Sequence, residues 1–420
     1  MIKATIITIG DELLIGQVID TNSAYIAQQL NIAGFAVNRR IAVGDNAGDI
    51  KKALDEEKLY SQIILITGGL GPTADDITKP LLCQYFGGKM VVNDEAFANV
   101  QNIVANILKR PFTDRNKKQA QVPDVCTVIQ NKRGTAPGMI FFENVEGTKT
   151  IFVSMPGVPY EMMGMMQQDV IPLLKSTFGT AAIAHRTLVL AGVGESTIAD
   201  MLINFESQLP DNIKLAYLPS YGMLRLRLTA THANAVTNTQ MIEEQFEQLQ
   251  NLVSAYLVSL TDEPIETTVA NLLIKNTATL STAESCTGGY IAHLFTSIAG
   301  SSAFFEGSII SYANDVKQNL LGVQHQTLLN NGAVSKAVVL QMAAGALQNL
   351  QSTYTIAVSG IMGPGGGTKD KPVGTVWVCV GNTQKLVAEQ FYFRFDRALN
   401  IKLTAAAAIN MLRKFILEIN

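Results

Sequence analysis

Three apolar runs, KATIITI (residues 3–9), GFAVNRRIAV (34–43) and QIILIT (62–67), alternate with NSAYIAQQLNIAG (22–34) and NAGDIKKALDEEKLY (46–60), and this alternation decides the fold. The first three are short and rich in β-branched residues, as strands are. The other two carry apolar residues at helical spacing. Strands that are continuously apolar and separated by helices predict a parallel sheet covered on both faces. The same rhythm reaches TIFVSMPGVPYEMMGMM (150–166), a strand, a Pro/Gly turn and a Met-rich helix. Its methionines Met162, Met163, Met165 and Met166 are expected to pack rather than to bind a ligand.

From about His185 the pattern changes. RTLVLAGVG (186–194), KLAYLP (214–219) and MLRLRLTA (223–230) read as strands, with ESTIADMLINF (195–205) and NTQMIEEQFEQLQNLVSAYL (238–257) as helices. In MLRLRLTA, alternation puts Leu224, Leu226 and Leu228 on one face and Arg225 and Arg227 on the other, a strand with one wet side. The βαββα order suggests a small α+β piece of the ferredoxin-like or KH-like sort. It lacks the GxxG loop with which a KH module clamps a nucleic-acid backbone, which favours a spacer or dimerisation role. After TDEPIETTV (261–269), strands and helices alternate again to the end, a separate α/β domain from about 258.

Bulk properties bound the function. The chain has 420 residues, too many for one core, with 47% hydrophobic and 16% charged residues. A net charge of −3 argues against a protein that wraps nucleic acid. Cys83, Cys126, Cys286 and Cys379 form no CxxC pair, which disfavours a zinc cluster or a disulfide scaffold. The opening MIKATIITIGDELL is broken by Asp11 and Glu12 too early for a signal peptide, and no apolar run is long enough to span a bilayer. The expected compartment is the cytoplasm.

Two N-terminal loops follow strand C-termini, where open α/β sheets bind ligands. ITIGDELLIGQVIDTNS carries Asp11, Glu12, Asp20 and Asn22; ITGGLGPTADDITKP carries Gly68, Gly69 and Gly71 before Asp75 and Asp76. Glycines let backbone N–H groups approach an anion, and a helix N-terminus adds positive potential. Carboxylates beside an anion need a cation between them, which points to a divalent metal with oxygen ligands. The other reading is that Asp75 and Asp76 cap the next helix; on spacing alone the two stand level. GTAPG (134–138) and MPGVP (155–159) either line the same crevice or are simple turns.

In the last domain STAESCTGG (281–289) follows a strand and opens a helix. Ser285 on that turn lies near helix-start N–H groups suited to an oxyanion or phosphate. A serine nucleophile needs a base. None of the four histidines fits, since His293 sits inside the next helix, His325 in a polar turn, and His185 and His232 in the middle piece. SYANDVKQNLLGV (311–323) offers Lys317, with Tyr312 as a hydroxyl to hold it; otherwise Lys317 is a solvated cation. SGIMGPGGGTKDKPVG (359–374) adds Gly363, Gly365, Gly366 and Gly367, a backbone cradle or a mobile loop.

Taken together, GDELLIGQVIDTNS, TGGLGPTADDIT, GTAPG and PGVPYEM, followed by AESCTGG, SYANDVK, GAVS, SGIMGPGGGTKDKPVGTVW and FDR, resemble the CinA family over essentially the whole chain. The resemblance implies an α/β protein of three domains. These are a parallel-sheet, molybdopterin-binding-like domain (1–175), a small α+β KH-like domain (176–257) and a C-terminal α/β amidohydrolase domain (258–420). It implies deamidation of nicotinamide mononucleotide in the last domain, and metal-dependent hydrolysis of ADP-ribose to AMP and ribose 5-phosphate in the first. Both would serve pyridine-nucleotide salvage in a homodimer. Ser285 matches the nucleophile, Lys317 the base and Tyr312 a supporting hydroxyl. Thr287, Gly288, Gly363, Gly365, Gly366 and Arg397 match substrate-binding positions, with Arg397 on the phosphate and no cofactor needed. In the first domain Gly10, Asn22, Gly68, Gly69, Gly71 and Thr73 match the substrate site. Asp11, Glu12, Asp75 and Asp76 match ligands of a Mg, Mn or Co type cation, with a potassium ion as a further candidate. Met362 stands where the family usually has alanine, and is expected to narrow the pocket or alter loop packing. Two other readings are a pterin- or nucleotide-binding module without turnover, and a role in competence or DNA damage.

Overall fold

The computed structural model describes every residue except 1, 74, 75, 180, 181, 221, 233, 234 and 420, and for 182, 232, 235, 236 and 419 the backbone alone. By packing, the chain divides into residues 1–184 with 231–238, and residues 185–230 with 239–420.

In the first unit the apolar runs form β1 (Lys3–Ile9), β2 (Ala36–Val43) and β3 (Ile63–Thr67), with helices α1 (Thr21–Ile32) and α2 (Ala47–Glu57) between them. Asp20 caps α1 by accepting from the Ser23 amide at 2.8 Å, and Asn46 caps α2 through the Gly48 and Asp49 amides. Helix α3 (Thr78–Tyr85) follows the glycine loop after β3, and β4 (Thr127–Ile129), β5 (Gly138–Val145), β6 (Thr148–Met155) and α4 (Pro159–Met165) complete the frame. The sheet order is β2-β1-β3-β6-β5-β4. Strands β2, β1, β3 and β6 pair in parallel, as expected. The sheet is not parallel throughout, because β5 pairs antiparallel with both β6 and β4. The two-residue turn at Glu146 and Gly147 folds β5 back onto β6, leaving no room for a crossover helix.

Both faces of this sheet are covered. Ile6, Leu65 and Val153 pack with Ile26, Leu30, Met162, Met165 and Met166 on one side. Ile7, Ile64 and Phe152 pack with Ile50, Leu54 and Leu82 on the other. Met163 packs against the first of these cores while half-buried, so all four methionines serve packing. Each fully buried Ile or Leu contributes about 1.5–3 kcal/mol relative to exposure, which sets the register of the strands and therefore where their ends lie.

In the second unit the middle piece runs β7 (Ala182–Ala191), α5 (Glu195–Ser207), β8 (Ile213–Ser220), β9 (Met223–His232) and α6 (Ala235–Leu252). Leu224, Leu226 and Leu228 are buried, and Arg225 pairs with Asp262 on the open side at 2.7 Å. A short strand β10 (Leu257–Ser259) joins the sheet in the order β8-β9-β7-β10.

The last domain comprises α7 (Ile265–Lys275), β11 (Leu280–Glu284), α8 (Tyr290–Thr296), β12 (Phe305–Ile310), α9 (Asn314–Leu321), α10 (Lys336–Leu350), β13 (Tyr354–Gly360), β14 (Thr375–Gly381), β15 (Leu386–Tyr392) and α11 (Arg397–Ile419). Its sheet order is β12-β11-β13-β14-β15; β12, β11 and β13 are parallel, and β14 and β15 form an antiparallel edge. Central β11 therefore delivers its C-terminal end between the ends of two parallel neighbours, the switch-point geometry of a ligand site. Among the described residues no helix is long and apolar enough to cross a membrane.

Candidate active sites

At the C-terminal end of β11 the chain turns sharply through Gly288 and Gly289, both with positive φ, into α8. The left-handed φ of Gly289 favours glycine there, since other side chains rarely adopt it. Ser285 sits at the start of this turn, 8% exposed, its amide held by the Val358 carbonyl of β13.

Lys317 reaches it from the first turns of α9, next to β12. Its Nζ lies 3.0 Å from Ser285 Oγ, 2.6 Å from the Ser311 carbonyl and 3.2 Å from the Tyr312 carbonyl. At 1% exposure Lys317 is one of the largest fully buried side chains, and no carboxylate pairs with it among the described residues. Desolvation holds its pKa below the ordinary lysine value. Of the other two candidates on the turn, burial pushes the Cys286 thiol up to about 12, which removes it as a thiolate nucleophile at neutral pH. Thr287 is buried and donates its hydroxyl proton to Glu284 Oε2 at 2.7 Å.

Sequence reading missed Glu284. This fully buried carboxylate accepts from the amides of Gly289 (3.0 Å), Ile291 (3.1 Å) and Ala292 (2.8 Å), and from the hydroxyls of Thr282 and Thr287. The helix-start donors expected to serve an oxyanion or phosphate are thus already taken by the protein itself. A charged residue closing an otherwise uncharged buried strand was the available signal.

Tyr312 also differs from expectation. Its carbonyl contacts Lys317, while its hydroxyl accepts from Arg397 Nη2 at 3.0 Å. Arg397, at the start of α11, also donates to the Gly363 carbonyl at 2.9 Å. Tyr312 therefore spans the distance between the serine–lysine pair and the arginine. The loop after β13 is fixed by buried Asn400, whose Nδ2 donates to the Met362 and Phe395 carbonyls. Gly363 and Gly366 adopt positive φ there, while Gly365 has open space around it and Gly288 likewise. Met362 is buried in the hydrophobic core.

At the N-terminal strand ends a crevice of about 400 Å³ is lined by Gly10, Glu12, Asp45, the Gly68–Gly71 loop and Asp76, and by residues of both the GTAPG and MPGVP segments. A Cβ at Gly69 would lie 2.1 Å from Thr78 Oγ1, and one at Gly10 would lie 2.5 Å from Glu12 Oε1, so both glycines make room for neighbouring side chains. Asp76 does not cap α3. Its oxygens accept from the Gly71 and Thr73 amides at 2.8 Å and from the Thr73 hydroxyl, which closes its own loop and engages Thr73. Asp11 accepts from the Asp45 amide at 3.1 Å and does not line the crevice. Asn22 ties Thr67 to the Gly157 carbonyl, with its Oδ1 buried and unpartnered among the described residues. Asp75 lies outside the described residues.

The carboxylates around this crevice are oxygen donors alone, the chemistry that suits a hard divalent cation. Among the described residues, no group of three His, Cys, Asp or Glu side chains converges on one point.

Residues 5–176 match the family described as probable molybdopterin binding domain, 185–258 the damage-inducible protein CinA KH domain, and 262–416 the CinA C-terminal domain. A CinA-like protein of Cytophaga hutchinsonii is 41% identical over 418 residues, covering 100% of this chain and 99% of its own. One from Flavobacterium psychrophilum is 40% identical, covering 99% of each. A solved competence/damage inducible protein from Agrobacterium tumefaciens is 39% identical over 37% of this chain and 98% of its own, with a TM-score of 0.35. With matches that run from end to end at this identity, the chain belongs to the CinA family.

Proposed function

We propose that the C-terminal domain deamidates nicotinamide mononucleotide to nicotinic acid mononucleotide and ammonia, with Ser285 as nucleophile and Lys317 as its base. The observation that carries this reading is the 3.0 Å approach of Lys317 Nζ to Ser285 Oγ inside a buried site. A neutral amine has two N–H donors and one lone pair. The Ser311 and Tyr312 carbonyls take the donors, which leaves the lone pair for the Ser285 proton. As an ammonium, Lys317 has three donors for the same three oxygens. Both protonation states are satisfied without rearrangement, as a proton shuttle requires.

In the proposed reaction Ser285 Oγ bonds to the carboxamide carbon as Lys317 takes its proton. Lys317 returns that proton to nitrogen as the C–N bond breaks, and water then releases the acid from the acyl-enzyme. With the α8 donors committed to Glu284, the amides of Cys286 and Thr287, which donate to no backbone carbonyl among the described residues, are the oxyanion donors nearest in sequence. Arg397, across the Tyr312 ring, suits the phosphate end of the substrate. Ser285→Ala is expected to abolish ammonia release with an unchanged circular dichroism spectrum; persisting turnover would exclude this chemistry.

For the N-terminal domain we infer hydrolysis of ADP-ribose to AMP and ribose 5-phosphate. The glycine-lined crevice, with the carboxylates of Glu12, Asp45 and Asp76 on it, supports it. Glu12, Asp76 and Asp75 are the residues to hold a divalent cation, which when bound neutralises phosphate charge. One observation favours a second reading, a pterin or nucleotide site without turnover: both Asp76 oxygens are engaged by their own loop. Incubating the protein with ADP-ribose and a divalent cation and identifying the products decides between them.

A further inference from the structure

Two carboxylates of the N-terminal crevice, Asp45 and Glu161, are accounted for neither by the cation ligands nor by the glycine loops, and Glu161 is oriented by a buried side chain. Glu161 lies in the first turn of α4 and lines the crevice beside Gly157 and Val158. Asn131, 2% exposed, fixes its orientation. The Asn131 Nδ2 donates to Glu161 Oε2 at 2.6 Å and to the Ala136 carbonyl at 2.9 Å, and its Oδ1 accepts from the Arg133 amide at 3.0 Å. The carboxylate is pressed against Gly134, where a Cβ would lie 2.1–2.3 Å from it; the first glycine of GTAPG is needed for that reason. Glu161 Oε1 accepts no hydrogen bond among the described residues.

Among the described residues no cation forms an ion pair with this group. The other charged residues on the crevice, Glu12, Asp45 and Asp76, are all acidic. Arg133, the nearby cation on the same loop, is stacked 4.5 Å over the Tyr160 ring and donates to the Tyr160 carbonyl. Desolvation raises the Glu161 pKa above the ordinary carboxylate value, an effect only partly offset by Asn131.

We propose that Glu161 is the general base for phosphoanhydride hydrolysis in this crevice, held in register by Asn131. The assignment rests on the reading of this domain as a pyrophosphatase. A water oxygen bonds to phosphorus while its proton passes to Glu161 Oε1. The bridging P–O bond breaks, its electron pair leaves on the departing phosphate monoester, and Glu161 then releases the proton to solvent. A carboxylate oriented through one oxygen and free at the other is the arrangement this step uses.

The test uses the full chain and Glu161→Gln, whose amide oxygen still accepts from Asn131. Steady-state ADP-ribose hydrolysis is measured across pH and Mn²⁺ concentration, and AMP affinity by calorimetry. The expected result is a fall in kcat of about 10²- to 10⁴-fold, with KM, Mn²⁺ half-saturation and AMP affinity little changed. The wild-type rate rises with pH through the Glu161 pKa, since a base acts deprotonated, and that acid limb disappears in the variant. Glu161→Asp is expected to keep the limb at an intermediate rate. An unchanged kcat overturns the proposal, as does a fall matched by weaker AMP binding or by a shifted Mn²⁺ dependence, which marks a binding or cation-ligand role instead. A wild-type chain that binds AMP but never cleaves ADP-ribose overturns the pyrophosphatase reading itself, and the base assignment with it.

Discussion

At the end of β11 a serine and a lysine meet at 3.0 Å with both side chains buried. At the ends of β1 and β3, by contrast, carboxylates stand around an open crevice, and Asp11 and Asp76 bond to backbone amides rather than to one another. Both sites occupy the same place on a parallel sheet, and both use glycine turns. They differ in what holds the reactive groups. The C-terminal pair is held by strand pairing and by two carbonyls that need no ligand. The N-terminal carboxylates repel one another, and the divalent cation proposed above would offset that repulsion. On the proposed reading the first site is preorganised and the second would be completed on binding a cation.

Chelation is the strongest way to break this comparison. EDTA is expected to abolish ADP-ribose hydrolysis and to leave ammonia release from nicotinamide mononucleotide unchanged in the same sample; equal loss of both would erase the distinction. Next comes Lys317→Arg, which keeps the charge but not the titration. Deamidation is expected to fall by about 10³- to 10⁴-fold, because a guanidinium does not give up its proton. In the wild type the rate rises with pH as Lys317 loses its proton, through a pKa below the ordinary lysine value, and the variant lacks this rise. A variant with normal rate and pH profile would remove Lys317 from the mechanism. The smallest effect on rate is expected from Met362→Ala, which restores the residue usual in the family. Met362 is buried in the core, so the change costs about 2–5 kcal/mol of stability, read as a lower melting temperature. Deamidation per folded molecule stays as it was. A large change in KM would place Met362 in the pocket instead.

Much of the fold was legible because it rests on period. Runs such as IILIT (63–67) are buried residue by residue, and their ends place the loops. The antiparallel strands β5 and β15 were harder to read. A strand's direction depends on the turn that returns it, and turn length is a weaker signal than hydrophobic period. Of the site, the residue types were legible, and so was the pairing of Ser285 with Lys317. Glu284 was hidden because a glutamate in AESCTGG reads as one more polar loop residue until the helix N-terminus is seen to close on it. Glu161 was hidden for a similar reason, since only the fold brings Asn131 to it across thirty residues.

The sequence by itself determined three α/β or α+β pieces, glycine turns at strand ends, and a serine paired with a lysine. Those features depend on local hydrophobic spacing and on backbone conformations that glycine alone adopts readily. The tertiary structure decided which donors are free, which carboxylate is oriented, and that Tyr312 turns its carbonyl to Lys317 and its hydroxyl to Arg397. Hydrogen-bond partners and desolvation belong to pairs of atoms brought together by strand order, and strand order is set by the packing of the whole sheet.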